Sequence, residues 1–316
     1  MRELTAKITI GEILKPIRFV HKVRIEKSWK KLTDNATVIL PKNLQLKSKN
    51  LHDLIKKGDA IKIELGYDGN LNTEFDGYVT RIKANTPVEI QCEDQMWLLK
   101  KTNLVMSWDS VNLQEMIRNI TPGAVDIGNV LDLELGSFRI NNVTPAKVLE
   151  VLREKYGLVS FFRNGSLNVG FPYPAIPEIK VYNFQSNIAK SNLEYKLDDD
   201  LALRVRAISI MPDNTKIEIE LGDPEGEVRT LHYYNISDKA ELKKIAESQI
   251  GLLKAKGYRG NFEGFGVPVV EHSNGVRIED NEYPERAGTY FVDSVIAMFG
   301  VRGYRRRMIC GRKIEN

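Results

Sequence analysis

Period-two alternation of apolar and polar residues dominates the first hundred positions. Val23 and Ile25 alternate with Lys22, Arg24 and Glu26; Ala36, Val38 and Leu40 with Thr37 and Ile39; Ile61, Ile63 and Leu65 with Lys62 and Glu64. Successive side chains of a strand point to opposite faces, so each run predicts a strand with one buried face. Gly66-Tyr67-Asp68-Gly69-Asn70 carries the turn chemistry of a hairpin whose second strand is expected to begin near Phe75, and Pro87 marks another corner. In Val88-Glu89-Ile90-Gln91-Cys92 the apolar face is Val88, Ile90 and Cys92. Short strands with regular turns suggest a small antiparallel barrel.

The period changes in the middle third. Asp109 or Ser110 is expected to cap a short helix through Ile120 that Pro122-Gly123 stops. A second helix opens at Thr144, with Pro145 at its first position, carries Val148, Leu149, Val151, Leu152 and Tyr156, and ends at Gly157. A hairpin of Leu158 to Phe162 and Ser166 to Val169 follows, joined across Asn164-Gly165. The stretch Phe171-Pro172-Tyr173-Pro174-Ala175-Ile176-Pro177 reads as a stiff connector, because each proline biases its predecessor toward extended geometry.

Alternation then returns at Leu203, Val205 and Ala207 and at Ile217, Ile219 and Leu221. One long helix interrupts it: Asp238 and Glu241 resemble a capping box, and Leu242, Ile245, Ala246, Ile250 and Leu253 form its stripe up to Gly257. Gly275 to Glu279, Tyr290 to Phe299 and Tyr304 to Cys310 faintly echo Gly58 to Leu65, Phe75 to Ile82 and Val88 to Cys92. The expected class is α+β, mainly β: a first barrel over residues 1–100, an α+β insertion over 101–180, and a second barrel with a long helix over 181–316.

Composition adds little direction. With 316 residues, 42% hydrophobic and 28% charged, the chain reads as folded and globular. Its 46 basic and 42 acidic residues give +4, spread too evenly for a dedicated nucleic-acid surface. The N-terminus, MRELTAKITIGEILK, lacks the apolar core of a signal peptide, and runs such as Val295 to Phe299 fall far short of the roughly 20 residues that span a bilayer. Two cysteines, Cys92 and Cys310, without a CxxC spacing suit a reducing cytoplasm.

Candidate chemistry is sparse. Cys92-Glu93-Asp94 sets a thiol beside two carboxylates, but alternation places Cys92 in the core and makes Glu93-Asp94 a strand end or helix start. His21, His52, His232 and His272 are scattered, read as surface or partly buried, and form no zinc motif. Asp198-Asp199-Asp200 lacks the EF-hand glycine, with Leu203 in its place. Gly264-Phe265-Gly266 has Val269 where GxGxxG needs its last glycine, and reads as a turn or bulge. Arg305-Arg306-Arg307, near Arg302 and Arg312, is the one basic cluster; alternation sends Arg306 to the opposite face from its neighbours, and a solvated or interface strand is expected. No catalytic, cofactor-binding or metal-ligating residue is assigned.

"SWKKLTDNATVILP" at 28–41, "GDAIKIELGY" at 58–67, "FDGYVTRI" at 75–82, "VEIQCEDQMWLLKK" at 88–101, "YPERAGTYFVDSV" at 283–295 and "FGVRGYRRRMICGRKI" at 299–314 resemble the baseplate hub proteins of contractile phage tails. These include the late control protein D family and the hub portion of type VI secretion spike proteins. The resemblance implies two tube-protein-like barrels and a homotrimeric ring that joins a separate spike protein to the hexameric tail tube beside other baseplate proteins. It further implies a place in the virion tail baseplate after assembly in the bacterial host cytoplasm, with no cofactor, no membrane and no sequence-specific nucleic acid. The alternatives are a nucleic-acid- or carbohydrate-binding barrel protein, or a hydrolase with an unrecognised site.

Overall fold

The structure, a computed structural model, describes residues 2–11, 16–41, 55–83, 87–174, 177–196, 202–211, 213–234, 236–253 and 257–314. Its strands are β1 (Leu4–Ile10), β2 (Lys22–Ser28), β3 (Asn35–Ile39), β4 (Ala60–Tyr67), β5 (Asn70–Lys83) and β6 (Glu89–Glu93). After them come β7 (Leu104–Trp108), helix α1 (Leu113–Ile120), β8 (Asp126–Val130), β9 (Phe138–Val143), helix α2 (Pro145–Tyr156), β10 (Val159–Arg163) and β11 (Ser166–Gly170). The remainder is β12 (Ile179–Asn183), β13 (Ile188–Lys196), β14 (Leu203–Ile210), β15 (Lys216–Gly222), β16 (Glu227–Tyr234), helix α3 (Lys239–Leu253), β17 (Gly257–Phe265), β18 (Gly275–Glu279), β19 (Gly288–Gly300) and β20 (Gly303–Lys313).

Two compact units share these elements: unit 1 takes residues 1–177, 263–274 and 293–308, and unit 2 takes 178–262, 275–292 and 309–316. In unit 1 the main sheet runs β1-β4-β5-β6-β3-β2 and continues to β19 and β20. The alternation read from the sequence decides its buried face: Val23 and Ile25, Ala36 and Val38, Ile61, Ile63 and Leu65, and Ile90 and Cys92 all point into one core, joined there by Ala297, Phe299 and Tyr304. The Asn164-Gly165 hairpin forms as expected, with both residues at positive φ (50° and 83°). So does the second helix, capped by the Thr144 hydroxyl and ended by Gly157 at φ 67°. With α1 and β11, these elements enclose a second apolar core.

Two expected boundaries move. The first short helix is capped by Asn112, whose Oδ1 accepts from the Gln114 N–H at 2.9 Å, not by Asp109 or Ser110. The second strand of the early hairpin starts at Asn70, not near Phe75. There Asp68 and Gly69, both at positive φ, make a two-residue turn that pairs Tyr67 with Asn70, and polar Asn70, Asn72 and Thr73 hide the strand from an apolar-pattern reading.

In unit 2, β14 lies between β15 and β16, antiparallel to the first and parallel to the second. Helix α3 covers this sheet: Ala207 packs with Leu242 and Ala246, flanked by Ile217, Ile219 and Leu221. Asp238 Oδ1 accepts from the Ala240 N–H at 2.8 Å and caps the helix. The echoing strand series are both meanders, β4-β5-β6 and β18-β19-β20. Their outer neighbours differ in direction, since β1 is antiparallel to β4 whereas β12 is parallel to β18.

Candidate functional site

The greatest concentration of ionisable groups away from solvent lies inside unit 1, and a backbone irregularity creates it. Along β5, Phe75 pairs with Ile63 and Thr73 with Glu64, leaving Glu74 as an extra residue in a bulge. A bulge re-aims its side chain. Glu74 turns inward and is fully buried (0%), beside a Phe75 that is buried as well.

Glu74 meets Arg306, which alternation along β20 places on the inner face with Tyr304 and Met308. Arg306 Nη2 donates to Glu74 Oε1 at 2.7 Å, and its Nε and Nη2 donate to the Gly266 carbonyl at 3.2 and 3.0 Å. The Tyr304 hydroxyl donates to the same Glu74 oxygen at 2.5 Å. Burial works against the Arg306 charge, but the Glu74 carboxylate outweighs it and holds the guanidinium above its ordinary pKa. The expectation of a solvated or interface strand therefore fails at Arg306, which is 1% exposed, while half-buried Arg305 stacks over Phe265 at 4.5 Å and Arg307 reaches Glu263 at 3.3 Å. Gly266 is no phosphate loop. A Cβ there would lie 2.1 Å from the Tyr304 ring, so glycine is required for this close approach.

A second set of charges lies in the same unit. Lys27 Nζ donates to Glu271 Oε1 at 2.8 Å; burial opposes both charges, yet each partner holds the other ionised. Asp34 Oδ1 accepts from the Ser28 N–H at 2.9 Å, and Asp94 accepts from the N–H groups of Asp34 at 3.3 Å and Met96 at 3.1 Å. Burial pushes Asp34 up to about 7, and burial together with Asp34 raises Asp94 well above the carboxylate range. Asp293 is a third anchor, accepting from Trp29 Nε1 at 3.1 Å and pairing with Lys30 at 2.6 Å.

Cys92 is 2% exposed in the core, and burial pushes its thiol up to about 12, so the thiolate a nucleophile needs is absent near neutral pH. Asp94 caps the short helix Gln95–Lys100, as a carboxylate at a strand end should. Cys92 and Cys310 are not bridged. His21 and His232 are exposed; His52 and Asp198-Asp199-Asp200 lie outside the described residues. His272 corrects the surface or partly buried reading: it is 1% exposed, edge-on to Phe161 at 4.8 Å, and burial with Arg163 nearby lowers it to about 3. It is neutral at physiological pH.

Nothing in the apolar pattern announced Glu74, Asp34 or Asp293 as buried polar groups, nor the partly buried Lys27–Glu271 pair. The useful signal was a charge on an otherwise apolar strand face, as at Arg306 between Tyr304 and Met308; Glu74 offered none, because the bulge breaks the period. Chemically the Glu74–Arg306 pair locks strands together, since both charges are paired and enclosed in the core. A cleft of about 130 Å³ between β9 and α2, lined by Arg139, Ile140, Val148 and Lys155 among others, has room for a single side chain and is small against the 300–1,000 Å³ of ordinary ligand sites. Among the described residues no group of His, Cys, Asp and Glu is arranged to hold a metal ion.

No family model matches the sequence, and no curated protein does. Solved structures match along the whole chain. A tail protein from Neisseria meningitidis MC58 shares 15% identity at a TM-score of 0.70, covering 98% of this chain and 97% of that one. The 43 kDa tail protein of prophage MuSo2 from Shewanella oneidensis gives 15%, 0.70, 99% and 97%. The E. coli c3393 protein, a component of the type VI secretion system with structural similarity to the T4 bacteriophage tail proteins gp27 and gp5, gives 9%, 0.63, 98% and 77%. This chain thus has, from end to end, the fold of those tail and secretion-system proteins.

Proposed function

We propose that the protein is a structural hub of a phage tail baseplate or a related contractile injection device. The observation that carries this reading is the end-to-end fold match to two tail proteins, 97% of each of which is covered. The interior supports it: charges buried in unit 1 are spent on joining strands, which suits a load-bearing part. In this reading residues 1–100 and 181–316 supply tube-like barrels, 101–180 are the insertion, and three chains form a ring of six barrels. Such a ring matches a threefold spike to a sixfold tube, so its work is interface formation rather than catalysis. The spike, the tail tube and other baseplate proteins are its partners, and the virion tail baseplate, assembled in the host cytoplasm, is its place. One chain of the PdpA–VgrG complex of Francisella, about half of which this chain matches over 99% of its own length (TM-score 0.57, 11% identity), supports a spike-side partner.

Association carries a translational and rotational cost, so a modest interface forms the ring only beside its partners. The test is mass by light scattering over rising concentration, with and without the cognate spike, followed by imaging of the assembled tail. Three copies per ring are expected. Any other ring order overturns the symmetry-matching mechanism.

A further inference from the structure

Val301 and Phe19 are the two most exposed large apolar side chains among the described residues, at 88% and 78%. Both belong to unit 1 and to the same end of its main sheet. Val301 sits at the tip of the β19–β20 hairpin, and the residue before it, Gly300, pairs with Lys22 at the start of β2. A Cβ at Gly300 would lie 2.6 Å from the His21 carbonyl, so the tip is held against the segment that carries Phe19. An isolated exposed apolar residue needs no explanation, whereas two at one sheet end, where burial was available a few residues away, do.

Their surroundings are basic. Arg18, Lys22 and Arg302 are all exposed, and none forms an ion pair among the described residues. Arg305, three residues beyond Arg302, lies over exposed Phe265 at the end of β17. Lys7, Lys83 and Lys100 of the same unit, in contrast, are paired with Glu64, Glu89 and Glu93. The sheet end thus presents three cations without a carboxylate partner among the described residues.

We infer that this end of unit 1 is a docking surface for a partner protein with an apolar recess rimmed by carboxylates. Phe19 and Val301 enter the recess, and Arg18, Lys22 and Arg302 meet the rim. The apolar pair selects a protein over a nucleic acid, whose backbone would use the cations and leave Phe19 and Val301 in water. The inference rests on the hub reading, since it assigns a surface to one of the hub's partners.

The test uses the full chain in the cell that produces the particle. Two variants are made, Phe19→Ser with Val301→Ser, and Arg18→Glu with Lys22→Glu and Arg302→Glu. Purified, each should keep the wild-type circular dichroism and melting midpoint, because all five side chains are exposed. The readout is the amount of the chain in sedimented tail particles relative to the tube protein. Each variant is expected to fall at least about tenfold below wild type. A folded variant that enters particles at the wild-type level overturns the docking surface and leaves the hub reading intact. A wild-type chain absent from particles overturns the hub reading, and this surface with it. Purified wild type and the charge variant are also compared on a 30-base-pair DNA duplex and on phosphatidylglycerol vesicles. Wild-type binding to either probe that the charge variant loses, with normal particle entry by the apolar variant, overturns the choice of a protein partner.

Discussion

Glu74 and Arg306 are 0% and 1% exposed, and two charges so placed stabilise the fold only together. Removing one partner strands the other in a low dielectric at a cost of about 3–5 kcal/mol, whereas replacing both with apolar residues of similar volume is often neutral. Arg306→Met is therefore expected to lower the urea midpoint strongly, and Glu74→Leu added to it to recover most of the loss; a double variant no better than Arg306→Met would contradict the pairing. Asp34 makes a separate prediction. Its folded pKa of about 7 exceeds the ordinary 3.8, so its contribution is fully present at low pH and lost as pH rises through about 7. His272 acts oppositely between about 3 and 6.5, where only the unfolded state takes its proton. Comparing Asp34→Asn with wild type removes that background: the variant's relative stability should grow from about pH 4 to 7, by at most about 1.4 kcal/mol per pH unit, and then level off. Denaturation midpoints at constant separation across that range would refute it. Of these residues the sequence exposed only Arg306, through the face it occupies in Tyr304-Arg305-Arg306-Arg307-Met308, and even there the pattern told the face without telling that the face was buried. Asp34 and Asp94 sit at strand and helix ends, where carboxylates are ordinarily solvated, so their burial was set by packing from distant segments.

Elements were legible where one face is apolar and the other polar. Strands β2, β3, β4, β6, β14 and β15 follow that rule, and α2 added a cap at each end. Legibility failed at the start of β5, which is polar and whose bulge at Glu74 shifts the side chains from Phe75 to Val79 by one face, before a second irregularity shifts the register again. It was also weak at β19, which is buried from Thr289 to Ala297 on both faces and so shows no alternation. Two glycines near its hairpin separate space from backbone conformation. Gly266 shows no positive φ, but a Cβ there would strike the Tyr304 ring, which is packed against Tyr67 and Phe299. Gly303 has φ 94° and open space around it. Gly266→Ala must displace a fixed aromatic ring, at about 2–3 kcal/mol, while Gly303→Ala pays only for the left-handed backbone, at about 1 kcal/mol. Urea midpoints of the two variants should fall in that order. The reverse order would mean that Tyr304 yields freely.

At the scale of the whole molecule the sequence order and the folded units do not coincide. Unit 1 needs residues 263–274 and 293–308 from the far end of the chain, and strands β17, β19 and β20 each give residues to both units. No local pattern announces this, because each far segment is by itself an ordinary strand or loop; its place is decided by complementary groups more than two hundred residues away. Those groups predict how a fragment behaves. A chain of residues 1–177 retains β1 to β11 but loses β19 beside β2, along with Ala297, Phe299 and Tyr304 from the core. It also leaves Glu74 without Arg306, Lys27 without Glu271, and Trp29 and Lys30 without Asp293. Losing the burial of two aromatic side chains costs about 3–6 kcal/mol, and a stranded buried charge about 3–5 more, which together rival the 5–15 kcal/mol that holds a typical domain folded. The fragment should therefore show strand content by far-ultraviolet circular dichroism but poor dispersion of its proton resonances, and coexpression with residues 257–314 should restore a single packed state. A well-dispersed spectrum from residues 1–177 alone would show that the early strands complete their own core, and that the ion pairs with the distant segments are ornaments on a unit already stable without them.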